Sequence, residues 1–367
     1  MKENLGQDAV RHIAEILSDS MSGFDKNLFI NKALVGLDEL ELKQRVNHLI
    51  KVLALYLPDE FEQTATILKS VKQHWYNEDV EDRGFSFAAW PLIDYVADYG
   101  TRQPELALEV LKTLTSLFSA EFAIRTFIDQ HFDITYQQLL LWAEDEDEHV
   151  RRLASEGMRP RLPWGKQLSQ FCDDPTVIFP ILERLKDDPS LYVRKSVANN
   201  LNDISKDNPE QVIAVCRSWY DGASVERLWI IRHALRSLIK AGHPEVFPLL
   251  GYTAEPQVSL KKIGLGKAVL KLGDSAEITV NLLSTSLHTQ KMVVDYKIHH
   301  VKANGSTTTK VFKWKNITLK ANEELQLLKK HSLKPISTRK YYSGKHQVEL
   351  LINGQPYGKK EFELIVE

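Results

Sequence analysis

Three short strings repeat one another along the chain: VRRLASEG from Val150, VRKSVANN from Val193 and IRHALRSL from Ile231. Their arginines, Arg151, Arg194 and Arg232, stand 43 and 38 residues apart. A weaker copy, IRTFIDQ, begins at Ile124. Apolar residues recur in each at three- and four-residue intervals, the period of a helix with one buried face. Acidic turns, EDEDEH before Val150 and KDDPSLY before Val193, precede two of the copies. A unit of about 40 residues holds a pair of helices and cannot bury its apolar face alone, so neighbouring units must stack.

That constraint predicts a mainly α chain, organised as a HEAT-like repeat α-solenoid whose inner helices line a concave face. Helices are expected over roughly 41–57, 61–74, 90–99, 104–117, 119–131, 135–144 and 147–157, and again over 175–186, 190–203, 209–220, 224–241 and 244–250. After Pro256 the period changes to two. AVLKL, AEITVNLL, MVVDYKIHHV, TKVFKWKNITL, HQVELLIN and KEFELIVE alternate apolar and polar residues between turn signals such as Gly273-Asp274, Asn304-Gly305 and Asn353-Gly354. About seven short strands in this space predict an antiparallel immunoglobulin-like β-sandwich, with Tyr342 as a strand-entry tyrosine. The division predicted is a helical domain over 1–252 and a basic sandwich over 257–367.

The net charge of −2 conceals an asymmetry. From Glu255 onward there are 18 Lys and 1 Arg against 10 acids, or +9, so the preceding part carries −11. A basic module on an acidic body suits a polyanionic partner. It also suits a sandwich that keeps lysines on its outer faces. No apolar run reaches the ~18 residues of a membrane span, and MKENLGQDAV lacks a signal-peptide core. Two cysteines, Cys172 and Cys216, leave no disulfide framework and no zinc spacing. A cytoplasmic, membrane-free monomer without metal or cofactor is expected.

The densest chemistry lies in VRRLASEGMRPRLPWG, Val150–Gly165. On a helical wheel Val150, Leu153, Ala154 and Gly157 face the core, while Arg152, Glu156 and Arg159 fall on the opposite side. Glu156 is therefore expected outside the core, between two guanidiniums. Pro160 and Pro163 would fix an exit presenting Arg161, Trp164 and Lys166. In the next repeat Lys195 matches Arg152, and Arg151–Lys240 carries 15 cations against 11 acids. A basic strip along a concave face suits a phosphate backbone. An exposed Glu on a solenoid helix is usually a solvated salt-bridge partner, and a Trp after Pro usually packs on a neighbouring helix. Trp90, Trp142, Trp219 and Trp229 read as core.

WAEDEDEHVRRLASEGMRPRLPWG and VRKSVANNLNDISKDNP closely resemble the AlkC branch of the HEAT-like DNA glycosylases, relatives of AlkD. The resemblance spans the helical part, and some AlkC members carry an appended immunoglobulin-like domain. It implies a monofunctional glycosylase that excises small cationic alkylated bases, chiefly 3-methyladenine, from double-stranded DNA without full base flipping. Its location would be the bacterial cytoplasm, with the nucleoid as its place when bound. Glu156 and Trp164 map onto the family string as catalytic residues, and a second acid is implied in the preceding unit, for which Glu121 is the candidate.

Residue chemistry agrees with that implication. A 3-methylated adenine leaves as a neutral base, so no general acid is needed. Positive charge develops on the deoxyribose, where a fixed carboxylate can stabilise it and position a water. A tryptophan face can contact the cation. Arg152, Arg159, Arg161, Lys166, Lys195, Asn200 and Asp203 are the expected DNA-contacting or cleft-lining residues. One difficulty stands: aligning Arg125 with Arg151 sets Glu121 nine residues before the counterpart of Glu156, or ~13 Å along a helix axis. Joint action would require staggered helices or kinked DNA. The rival expectation is a non-enzymatic HEAT-repeat scaffold that binds nucleic acid or protein.

Overall fold

The computed structural model describes residues 2–75 and 86–366. The described chain resolves into two compact units, Met1–Val212 with Trp219–Ala234, and Ile213–Ser218 with Leu235–Glu367.

The first unit is helical. Gln7–Ser20 packs on Lys26–Leu34 and on Phe61–His74; Leu42–Leu53 packs on Ser86–Tyr99; Phe61–His74 packs on Pro104–Leu114. The repeat helices follow. Glu148–Gly157 packs on Leu191–Ile204, which packs on Val225–Ala234. Buried residues at helical spacing, among them Val150, Leu153 and Ala154 in the first and Val193, Val197 and Leu201 in the second, give each helix an apolar face in the core. Two repeat arginines do the same local work. Arg151 Nη1 donates to the carbonyls of Asp145 and Glu146 at 2.9 and 2.8 Å, and Arg194 Nη1 to those of Asp188 and Pro189 at 2.8 and 2.7 Å. Each guanidinium thus ties down the acidic turn ahead of its own helix. Arg151 also forks onto the Asp188 carboxylate at 2.6 and 3.2 Å.

Several boundaries differ from expectation. Gln7–Ser20 and Lys26–Leu34 were not among the expected segments. The segment expected over 119–131 begins only at Ile124, leaving Glu121 on a turn. The segment 224–241 breaks at Leu235, giving Val225–Ala234 and Arg236–Ala241.

Among its described residues the second unit holds eight strands: β1 (Val258–Leu265), β2 (Val269–Lys271), β3 (Ser275–Ser284), β4 (Gln290–Val301), β5 (Thr307–Leu319), β6 (Glu324–Ser332), β7 (Gly344–Ile352) and β8 (Gln355–Ile365). One sheet runs β1-β3-β6 and the other β2-β8-β7-β4-β5. Ile278, Val280 and Leu282 from the first sheet meet Val294, Tyr296, Ile298, Val348, Leu350 and Phe362 from the second in one core. Pairing is antiparallel except β2 with β8, which is parallel. The sequence pattern misses β1 because a bulge between Leu260 and Lys262 puts two consecutive lysines outward and breaks the alternation.

The last two short helices, Arg236–Ala241 and Val246–Leu249, group with the strands, whereas the sequence pattern divides the chain after residue 252. The cause is local. Gly242 and Gly354, at φ 77 and 74, lie so close that a Cβ on Gly354 would meet Gly242 Cα at 2.1 Å. Asn353 Nδ2 donates to the Thr253 carbonyl at 2.7 Å, and the Thr253 N–H donates to the Lys291 carbonyl at 2.8 Å. No described helix is long and apolar enough to cross a membrane.

Candidate active site

The helix Glu148–Gly157 is capped by Asp147, whose carboxylate accepts from the His149 N–H at 2.8 Å. It ends at a glycine because the preceding segment comes very near: a Cβ on Gly157 would meet Ile124 Cγ2 at 2.7 Å. This contact sets Ile124 against the end of the helix rather than alongside Val150, its counterpart in the repeat alignment. The stagger brings Glu121 level with Arg152.

Arg125 then takes a role that its place in the repeat did not foretell. It is buried, and it reaches forward. Nη1 donates to the Gly157 and Arg159 carbonyls at 2.9 and 2.8 Å, and Nε donates to the Lys166 carbonyl at 2.7 Å. It thereby staples both ends of the turn that carries Pro160, Pro163 and Trp164. Burial, with the nearby charge of Arg159, brings its guanidinium down to about 10.

Charged side chains of alternating sign run across the site. Glu121 Oε2 accepts from Arg152 Nη1 at 2.6 Å, and Arg152 Nη2 lies 3.5 Å from Glu156 Oε1. Glu156 Oε1 also accepts from Arg159 Nη1 at 2.5 Å, and its Oε2 from Ser196 Oγ at 2.5 Å. Arg159 Nε and Nη2 both lie 2.7 Å from Asp203 Oδ2, and Lys206 Nζ closes the row on Asp203 Oδ1 at 2.7 Å. Ser119 Oγ accepts from Arg152 at 2.6 Å and donates to Glu121 at 2.9 Å. The Arg152 guanidinium lies over the Tyr192 ring, 4.7 Å from its centroid. Burial opposes the charge on Arg152 and Arg159, but Glu156, with Glu121 and Asp203, outweighs it and holds both above the ordinary arginine value.

Two expectations are corrected here. Glu156 is not on an open face: it is 4% exposed, buried between the repeat helices and satisfied by Arg159 and Ser196. Arg152 and Arg159 are not free cations of a basic strip; their charges are spent on Glu121, Glu156 and Asp203. The wheel failed because it ranks faces of one helix, while the polar face of Glu148–Gly157 is covered by Leu191–Ile204.

The other candidates fall as follows. Asn200 is buried and donates from Nδ2 to the Ser155 carbonyl at 2.7 Å. Arg161 pairs with Asp207 at 2.7 Å and Lys166 with Asp129 at 2.6 Å. Lys195 is exposed. Trp164 is 58% exposed, and its φ of 65° is left-handed. Trp90, Trp142 and Trp219 are buried, whereas Trp229 is partly exposed and stacks on His233 at 4.9 Å. Among the described residues no group of His, Cys, Asp and Glu has a metal-holding arrangement. Ser119, Ser196 and Tyr192 escaped the sequence reading, since serine and tyrosine carry no spacing signal of their own.

Residues 44–238 match the family model described as DNA alkylation repair enzyme. Residues 259–366 match one described as the C-terminal Ig-like domain of the uncharacterised protein YhaZ. The chain belongs to the DNA alkylation repair enzyme family, in its AlkC branch. A solved structure, the Pseudomonas fluorescens alkylpurine DNA glycosylase AlkC bound to DNA containing an abasic site analog, is 39% identical, with 99% of each chain covered and a TM-score of 0.90. The Bacillus subtilis (strain 168) protein YhaZ, described as uncharacterized, is 36% identical over 365 residues, 99% of each chain.

Proposed function

We propose that this protein is an alkylpurine DNA glycosylase that hydrolyses the N-glycosidic bond of small cationic alkylated bases, chiefly 3-methyladenine, in duplex DNA. The observation that carries this reading is the Glu121–Arg152–Glu156 relay, in a chain 39% identical to a protein described as such a glycosylase on DNA. The helical part is read as a HEAT-like solenoid over 1–252, supported by the successive packing of the repeat helices. A basic sandwich over 257–367 follows, with Lys261, Lys262, Lys313 and Lys315 exposed for a phosphate backbone. The protein acts as a monomer in the bacterial cytoplasm, without full base flipping and without a cofactor.

In this reaction the bond from C1′ to the base nitrogen breaks, and its electron pair leaves with the methylated base, which departs neutral. The deoxyribose becomes an oxocarbenium. Glu156, held rigidly by Arg159 and Ser196, supplies fixed negative potential at the edge of the site. Glu121 keeps 15% of its side chain exposed against 5% for Glu156, so it is the carboxylate placed to meet a water. That water attacks C1′ and yields its proton to the carboxylate and then to solvent. The exposed face of Trp164 offers a π-surface to the cationic sugar or base. Water as nucleophile makes the enzyme monofunctional.

The test is chromatographic release of free methylated bases from methylated duplex DNA, with Glu156→Gln and Glu121→Gln beside wild type. Release of 3-methyladenine by wild type alone, with duplex binding retained in both variants, is the expected result. If wild type binds duplex and releases no base, the carboxylate row is structural and the chain is a binding scaffold.

A further inference from the structure

The only bulky residue among the described non-glycine positions with positive φ is Trp164; the other two are Asn322 and Asn353. Asparagine adopts this conformation in turns with little strain, whereas a large side chain does not, at a cost on the order of 1 kcal/mol. A left-handed tryptophan that is also 58% exposed has no burial of its own to hold it there. Something else must secure it.

The contact that does so comes from 121 residues away. Lys43, in the first turn of the helix Leu42–Leu53, donates from Nζ to the backbone carbonyl of Trp164. The same ammonium lies 5.7 Å from the centroid of Phe122, the neighbour of Glu121. Phe122 stacks on Trp90 at 5.2 Å, and Trp90 stacks on Phe118 at 5.3 Å, so Lys43 sits on a stacked aromatic layer. Trp90 Nε1 is in turn bonded to Asp94 Oδ2 at 2.7 Å, and Lys43 lends its positive charge to that carboxyl. The start of Leu42–Leu53 is itself fixed by a reciprocal cap between Glu41 and Gln44, with the Glu41 N–H donating to Gln44 Oε1 at 2.9 Å.

We propose that Lys43 is a positioning residue: bonded to the Trp164 carbonyl and seated on Phe122, it holds Trp164 in its left-handed conformation at a set place relative to Glu121. Arg125 fixes the two ends of the turn, and Lys43 fixes its tip. The consequence for base release rests on the glycosylase reading above, while the hold on Trp164 does not.

The experiment uses the full chain labelled with 5-fluorotryptophan, the Trp164 line being assigned by its loss in Trp164→Phe. Lys43→Met should move or broaden the Trp164 line and leave the lines of buried Trp142 and Trp219 in place. Lys43→Arg, which keeps a donor of similar reach, should restore it in part. Single-turnover release of 3-methyladenine should fall about tenfold in Lys43→Met, with affinity for unmodified duplex changed less than threefold. An unmoved Trp164 line in Lys43→Met overturns the proposal whatever the activity. A moved line with an unaltered single-turnover rate overturns its link to catalysis. A moved line in a chain whose wild type releases no base overturns the glycosylase reading instead, and the hold of Lys43 on Trp164 stands.

Discussion

Arg152 touches two carboxylates that lie 35 residues apart in sequence: its Nη1 is 2.6 Å from Glu121 Oε2 and its Nη2 is 3.5 Å from Glu156 Oε1. The guanidinium therefore does more than balance charge. It bridges the two acids, of which Glu121 keeps 15% of its side chain exposed and Glu156 5%. Removing it leaves two carboxylates of like charge in a poorly hydrated place, at a cost of about 3 kcal/mol. Glu121→Gln should relieve part of that loss. In a double-mutant cycle of Arg152→Gln with Glu121→Gln, urea unfolding should report a coupling of about 1 kcal/mol or more. Strict additivity would show that the contact carries no energy.

Gly157→Ala should destabilise the protein although alanine is the better helix former. Propensity alone favours Ala by about 1 kcal/mol. The added Cβ, however, would stand 2.7 Å from Ile124 Cγ2 and push apart the stagger that aligns Glu121 with Arg152. Overpacking of this kind costs about 1–3 kcal/mol. A lowered midpoint in urea, partly restored by Ile124→Ala, is the expected outcome, and a raised midpoint would show that the two segments can separate freely.

Asp94 sets a pH dependence in the helical unit. Burial raises its carboxyl to about 7, with Asp98 adding to the rise and Trp90 and Lys43 opposing it. A folded value above the unfolded one means that the folded state keeps a proton the unfolded state loses. This contribution is present at acid pH and is lost as pH rises toward 7. Part of Asp94 still reaches solvent, so the effect is on the order of 1–2 kcal/mol. Asp94→Asn keeps an acceptor for Trp90 Nε1 and should be more stable than wild type near about pH 8 but not near about pH 4. Parallel melting temperatures across that range would contradict the assignment.

His331 acts in the opposite sense in the β unit. Burial, with Lys329 and Lys310 adding to it, lowers its imidazole to about 4, and its Nδ1 lies 3.0 Å from the Tyr296 hydroxyl. A folded value below the unfolded one gives stability that is complete above about 6.5 and is lost as pH falls toward 4. At about pH 5 the loss is roughly 2 kcal/mol. His331→Gln should flatten the acid limb of a melting-temperature profile. His346, also lowered by burial, adds to the same limb and would remain.

The sequence by itself determined the texture of the two halves and pointed to the segment in which the charged row is built. Helical period before Pro256 and strand period after it are local properties, set by which residues three, four or two apart must be buried together. The string from Val150 to Gly165 singled out Glu156 and Trp164 through its resemblance to the family string, since their spacing alone suits a salt-bridge partner and a packed tryptophan as well. It misjudged exposure, since the face of Glu148–Gly157 that looks polar on a wheel is covered by Leu191–Ile204. The relation between Glu121 and Glu156 was beyond reach as well: it depends on a stagger imposed by Gly157 against Ile124, not on any offset countable along the chain. Arg125 on the carbonyls of Gly157 and Lys166, and Lys43 on that of Trp164, are likewise contacts that no spacing along the chain announces. Those contacts follow from how helices pack, and packing is a property of surfaces that no single segment carries. Only the tertiary structure decided which charges were left open and which were already matched.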